Sequence, residues 1–125
     1  MAVKVIDASA LAAIVFAEPD GGKVIQEIED DELVAPTLLP LELANVCLTK
    51  MRRYPTQREL LLSNYQMVER MEIRYIALNV VSVLLLAEQR GLTAYDAAYL
   101  FLSIQLGAAL VTLDKPLAKA ARKSL

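Results

Sequence analysis

Residues 3–17 read VKVIDASALAAIVFA. The opening VKVI is short, apolar and β-branched, the composition of a buried strand. Ser9 reads as the N-cap of a helix reaching about Ala17, where EPDGG breaks it. A strand passing straight into a helix is half of a βαβ unit, and the same succession recurs. GKVIQEIED (22–30) reads as a helix, ELVAP (32–36) as a strand, and LLPLELANVCLTKMRR (38–53) as a helix with Pro40 in its first turn. A long amphipathic helix is expected over 56–70, then a strand at IRYIAL (73–78). Helices over 80–91 and 93–106 close at Gly91 and Gly107, AALVTLD (108–114) is the last strand, and KPLAKAARK (115–123) the last helix, with Pro116 near its start. Alternating strands and helices predict the α/β class, with a parallel sheet covered on both faces.

A chain of 125 residues is the size of one domain, expected over 1–125. Its hydrophobic fraction of 56% and mean hydropathy of +0.40 exceed the about 45–50% of ordinary globular chains. So small a domain cannot hide all of that surface, and an oligomer or a protein partner is expected to cover an apolar patch. The longest apolar stretch, Val80–Ala87 interrupted by Ser82, is far below the roughly 18 residues that a membrane span requires. Residues 8–17 have the character of a secretory-signal core, but Asp7 abuts them and only Lys4 precedes them. The expected compartment is the cytoplasm, with no membrane partner.

Histidine is absent, and Cys47 is the single cysteine. Histidine-based acid–base catalysis, His-containing zinc sites and Ser–His or Cys–His nucleophile pairs are therefore excluded. Chemistry must run on carboxylates, hydroxyls, Lys, Arg or bound metal. Charge is unevenly spread: residues 1–49 hold two basic and nine acidic groups, and residues 50–125 hold eleven and six. The basic groups gather at Lys50, Arg52, Arg53 and Arg58, and again at Lys115, Lys119, Arg122 and Lys123. Solvated helix faces and nucleic-acid contacts are both compatible with such patches.

Asp7 and Asp114 fall at the carboxyl ends of predicted strands, the sheet edge where open α/β folds bind ligands. Capping of the following turns is the competing reading for each. Glu42, Asn45 and Thr49 form a narrow polar stripe on an otherwise leucine-rich helix, expected to look into a partly enclosed space. In LTAYDAAYLFL (92–102), Thr93 and Asp96 form a T-x-x-D capping box, and Tyr99 and Ser103 continue the track of Asp96. No basic residue lies close in sequence to Asp7, Glu42 or Asp96. Converging carboxylates raise one another's pKa unless a cation neutralises them, and an oxygen-only ligand set selects a hard ion such as Mg²⁺ or Mn²⁺. The chemistry implied is metal-dependent phosphoryl hydrolysis.

VIDASAL (5–11), LPLELANV (39–46), LTAYDAAYL (92–100) and LVTLDKPL (110–117) stand together in an order and spacing that resembles PIN-domain ribonucleases. The closest likeness is to the compact VapC-type toxins of prokaryotic toxin–antitoxin pairs, and it runs from Val3 to about Ala120. The resemblance implies a three-layer α/β/α fold on a parallel sheet of four strands, or five with a further edge strand. It implies that Asp7, Glu42, Asp96 and Asp114 are the catalytic acids holding Mg²⁺ or Mn²⁺, and that RNA is cut by water to leave 5′-phosphate and 3′-hydroxyl ends. Ser9, Asn45 and Thr112 match positions that line or brace such a site, with Thr112 expected on the same strand face as Asp114. The resemblance also implies a homodimer and a cognate VapB-like antitoxin. Lys50, Arg52, Arg53, Lys115 and Lys119 are the candidates for RNA-backbone contact. The alternatives are a housekeeping RNA-processing nuclease and a non-catalytic RNA- or protein-binding module on the same fold. A dehalogenase-like phosphotransferase would need a second Asp where Ser9 stands, and a receiver an Asp after the third strand.

Overall fold

Burial along the strands follows directly from their position in a parallel sheet. β1 (Val3–Ile6) and β2 (Glu32–Pro36) are central, and Val5, Ile6, Val34 and Ala35 are all fully buried. β3 (Ile73–Ile76) and β4 (Ala109–Val111) form the two edges, where only Ile73 and Val111 are buried. The order is β3-β2-β1-β4 with every pairing parallel: Val5 lies opposite Val34 on one side and Leu110 on the other. These features come from a computed structural model that describes residues 2–124. Met1 and Leu125, the ends of the expected domain, lie outside the described residues.

Seven helices flank the sheet among the described residues: α1 (Ala8–Val15), α2 (Gly21–Ile28), α3 (Leu39–Arg53), α4 (Arg58–Gln66), α5 (Val80–Arg90), α6 (Ala94–Leu106) and α7 (Lys115–Lys123). The sheet has four strands, and no fifth edge strand is present among the described residues. α6 crosses β1 and β2, carrying Tyr99, Leu100 and Leu102 into the main core. Behind it, Val83 and Ala87 of α5 meet Ala97 and Ala98 in a smaller cluster. α5 and α6 each end on a left-handed glycine, Gly91 at φ 66° and Gly107 at φ 60°, as their sequences predict. α1, the stretch with signal-like composition, is a core helix whose residues Ala10–Ala13 are buried.

Besides shifts of one or two residues, such as the third strand ending at Ile76, three features differ from expectation. The helix expected over 56–70 is a 3-10 turn (Pro55–Gln57), then α4, then a second 3-10 turn (Met67–Arg70). Pro55 starts the segment without a donor, and at its far end the chain tightens towards β3. α1 is capped by Asp7 rather than Ser9: Asp7 Oδ1 accepts from the Ala10 amide at 3.0 Å. β4 stops at Val111, so Thr112 and Asp114 belong to the loop leading into α7 and not to a strand face. β4 ends there because its only neighbour, β1, offers three paired residues before turning into α1.

The α1–α2 turn sets how close these helices come. A Cβ at Gly21 would sit 2.5 Å from the carbonyl oxygen of Ala13, whereas one at Gly22 meets nothing within 4 Å. Gly21→Ala should therefore destabilise the fold by about 1–3 kcal/mol through forced separation of the two helices. Gly22→Ala should be neutral or stabilising by up to about 1 kcal/mol, since alanine favours the helix. Denaturant midpoints of the two variants check this, and equal midpoints would refute the close approach.

Candidate metal centre

Four carboxylates reach one end of the sheet, and each sits at the start of a helix. Asp7 follows β1 and caps α1; Asp114 follows β4 and caps α7, its Oδ1 accepting from the Leu117 amide at 3.0 Å. Glu42 is in the first turn of α3. Asp96 is in the first turn of α6, which Thr93 caps by accepting from the Asp96 amide at 3.1 Å. Strand order reverses between β4 and β1, so Asp7 and Asp114 stand at the topological switch point of the sheet. The positive ends of four helix dipoles face the acids from behind. Capping and convergence are thus two effects of the same placement.

Asp7 is the anchor. It is 5% exposed, and its carboxylate accepts from the Ala10 amide, the Ser9 hydroxyl at 2.7 Å and the Thr112 hydroxyl. Both hydroxyls accept in turn: Ser9 Oγ from the Leu113 amide at 2.9 Å, and Thr112 Oγ1 from the Asp114 amide at 3.0 Å. The loop carrying Asp114 is therefore tied to Asp7 by two side-chain bridges. Glu42 is held differently, by the buried Tyr99, whose hydroxyl donates to Glu42 Oε1 at 2.5 Å.

Burial raises the Asp7 carboxyl above its ordinary range, against the pull of its three donors, and the Asp114 charge raises it further. Burial also raises Glu42, opposed by the Tyr99 hydrogen bond and reinforced by Asp96 and Asp7. Asp96 is raised by burial and then by Asp114 and Asp7. The Tyr99 hydroxyl is pushed far above its ordinary value, by burial first, so it remains a donor to Glu42. Among the described residues no Lys or Arg pairs with any of the four acids; the four ion pairs all lie elsewhere.

This donor set fits a hard divalent cation: it is all oxygen, negatively charged and uncompensated by any basic side chain. Among the described residues no three acidic or sulfur side chains stand close enough together to hold a metal ion between them. Carboxylates set around an open cleft suit an ion that keeps several of its waters. A cavity of about 500 Å³ opens beside Glu42, lined also by Asn45, Leu38 and Tyr95. A cavity of about 510 Å³ at the amino ends of β2 and β3 carries none of the four acids.

The polar stripe on α3 is only partly enclosed. Glu42 is half-buried, but Asn45 and Thr49 are exposed, as is Leu41 beside them, because α3 covers the sheet with Leu39, Leu43 and Cys47 instead. Ser103, expected in the track of Asp96, is buried and donates to the Ala108 carbonyl at 2.5 Å, tying α6 to the entry of β4. Of the basic candidates, Lys50 pairs with Glu18 at 3.2 Å and lies over the Phe16 ring. Arg52, Arg53, Lys115 and Lys119 are exposed. The hydrogen bond from Tyr99 to Glu42 was not visible in the sequence, since the two are 57 residues apart.

Each raised carboxyl makes the folded chain bind protons more tightly than the unfolded one between the ordinary carboxylate range and the raised value. Stability is therefore gained as pH falls through that window and lost towards neutrality. Asp96→Asn should melt a few degrees above wild type in EDTA at neutral pH, with the gap closing as the pH falls into the ordinary carboxylate range. Millimolar Mn²⁺ should raise the wild-type midpoint and leave the variant nearly unmoved. Thermal unfolding checks both effects, and identical curves for the two chains would remove Asp96 from the centre.

Comparison with known proteins agrees with the fold. The PIN domain family model matches residues 4–123. The crystal structure of PAE2754 from Pyrobaculum aerophilum is similar with a TM-score of 0.75 and 26% identity, over 93% of this chain and 82% of that one. No curated protein matches the sequence. PIN domains are generally nucleases that use divalent metals. With its four-stranded parallel sheet, its flanking helices and a match over nearly its whole length, the chain belongs to the PIN domain family.

Proposed function

We propose that this chain is a Mg²⁺- or Mn²⁺-dependent endoribonuclease and the toxin of a toxin–antitoxin pair, acting in the cytoplasm. The observation that carries the reading is the meeting of Asp7, Glu42, Asp96 and Asp114 at one sheet edge with no basic partner. These four would hold the ion, which supplies a nucleophilic water and stabilises charge on the phosphoryl oxygens. Water adds to phosphorus, the bond to O3′ breaks, and the proton lost by the water ends on the leaving oxygen. The products are a 5′-phosphate and a 3′-hydroxyl. The hydroxyls of Ser9 and Thr112 favour the ionised form of Asp7 against its burial and fix the carboxylate in place, and Tyr99 fixes one Glu42 oxygen, so that the other would be free for the ion. Arg52, Arg53, Lys115 and Lys119 contact the RNA backbone, with Lys50 partly engaged by Glu18.

A protein partner is supported by uncovered apolar surface. α5 exposes Val80, Val81, Leu84 and Leu85, each more than half accessible, while it buries only Val83 and Ala87. That row serves a homodimer, and a VapB-like antitoxin covers further surface and blocks the acidic cleft. A housekeeping RNA-processing nuclease would use the same four acids, but the exposed row favours the reading with dedicated partners.

Pure protein incubated with RNA and Mn²⁺ should cut it. Asp7→Asn and Asp96→Asn should lower the rate by about 100-fold or more, the scale at which a charge-stabilising group acts. Tyr99→Phe should lower it by about 10- to 100-fold while the metal dependence remains. Equal cutting by all variants would identify a contaminant. For the α5 row, light scattering should show a dimer that Leu84→Glu with Leu85→Glu converts to a monomer; an unchanged mass excludes this face.

A further inference from the structure

The cleft beside Glu42 does not end there. It adjoins an apolar cavity of about 430 Å³ with which it shares Leu38 and Tyr95, and which Pro36, Leu78 and Ala98 also line. On its other side it shares Asn45 and Val46 with a cleft of about 330 Å³ that reaches Lys50 and Arg53. The chemistry is graded along this groove: apolar at one end, Glu42 in the middle, and at the other end Arg53 beside the Lys50–Glu18 ion pair. Tyr95 stands at the boundary between the apolar and acidic parts. It is 65% exposed although it lies next to Asp96 in the first turn of a well-capped helix, so its backbone is fixed while its ring is uncovered.

We infer that Tyr95 is the platform on which a nucleobase next to the scissile phosphate stacks, with single-stranded RNA lying along this groove. The inference rests on the nuclease reading of the acids. RNA presents the matching order of groups: a flat base for the apolar cavity, the phosphate to be cut at the acids, and a further phosphate towards Arg53. Every base has a π-face, so an exposed ring at this point orders the strand without requiring a particular sequence. Stacking on Tyr95 also explains the open ring physically: the side chain is left uncovered by the fold because the substrate covers it. The neighbouring Leu38 and Leu78 give the base an apolar wall, and hydrogen-bonding groups are few there. Tyr95 is a positioning residue; it holds the strand and does not act on the phosphorus.

The experiment combines kinetics with a stacking probe. Wild type, Tyr95→Phe, Tyr95→Leu and Tyr95→Ala are assayed in Mn²⁺ on a short single-stranded RNA. The same RNA carrying 2-aminopurine at successive positions is bound in Ca²⁺, which has the same charge but looser coordination geometry. Tyr95→Ala and Tyr95→Leu should raise KM by about 5- to 150-fold, the range equivalent to one stacked base, with kcat little changed. Tyr95→Phe keeps the ring and should stay near wild type. Fluorescence of the probe beside the cut should be quenched by wild type and Tyr95→Phe and not by the other two, all four melting alike. If wild type cuts the RNA and Tyr95→Ala keeps the same KM and the same quench, the inference is overturned and the apolar cavity falls to a protein partner. If wild type cuts nothing yet quenches the probe only when the ring is present, the groove stands and the nuclease reading fails.

Discussion

The Asp7 carboxylate and its three donors form the contact on which the rest of the site depends. A carboxylate that is 5% exposed would cost several kcal/mol if left bare. One amide and two hydroxyls donate to it, and bonds to a charged acceptor contribute about 1.5–3 kcal/mol each. The two hydroxyls then hold the backbone after β4. A single buried charge thus fixes the end of β1, the start of α1 and the entry to α7. Loss of either hydroxyl would leave the charge short of a donor and the loop short of an anchor.

Glu42 and Asp114 are placed by the course of the chain out of β2 and β4, whereas Asp96 comes from α6, which follows another helix. In a parallel sheet the chain leaves each strand at the same edge, and helix N-termini collect there. Those amides and dipoles offset acidic charge without a lysine or arginine. A basic side chain in the cleft would neutralise the acids more completely and would also occupy the space meant for a ligand. The cleft instead retains charge that its own fold only partly balances, and this adds to burial, the first cause of the upward shifts at Asp7, Glu42 and Asp96. A hard cation held there would complete that balance.

Much of the fold is legible in the sequence because it depends on local patterning. The β-branched run VKVI and the short stretch ELVAP are strands, Gly91 and Gly107 close helices, and the alternation gives a parallel sheet. What escapes is set by contacts distant in sequence. Ser9 looks like a cap from its neighbours, yet its hydroxyl bridges to Leu113, 104 residues away, and Asp7 takes the cap. The amphipathic pattern over 56–70 is continuous, but it carries no signal for the tightening into 3-10 turns at either end. In the site, strand-end positions expose Asp7 and Asp114 to sequence reasoning, and an acid inside a leucine-rich run does the same for Glu42. Tyr99 is recognisable as part of the track of Asp96, but its bond to Glu42 is not, because that partner comes from another helix. Asn45 is misjudged in degree: hydrophobic flanks suggested enclosure, but Leu41 is itself 78% exposed.

The two edges of the sheet bear on behaviour at high concentration. β4 is three residues long, and β3 is four, with Arg74 on it salt-bridged to Glu32 at 3.4 Å. Strands this short, one of them carrying a fixed charge, offer another copy little free backbone on which to add a ladder. A chain with a hydropathy as high as this one would be prone to form fibres if it displayed a long flat edge. Most of the exposed large apolar side chains lie instead on helix faces, with Tyr75 the exception on β3, so contacts there are side chain against side chain rather than backbone ladder.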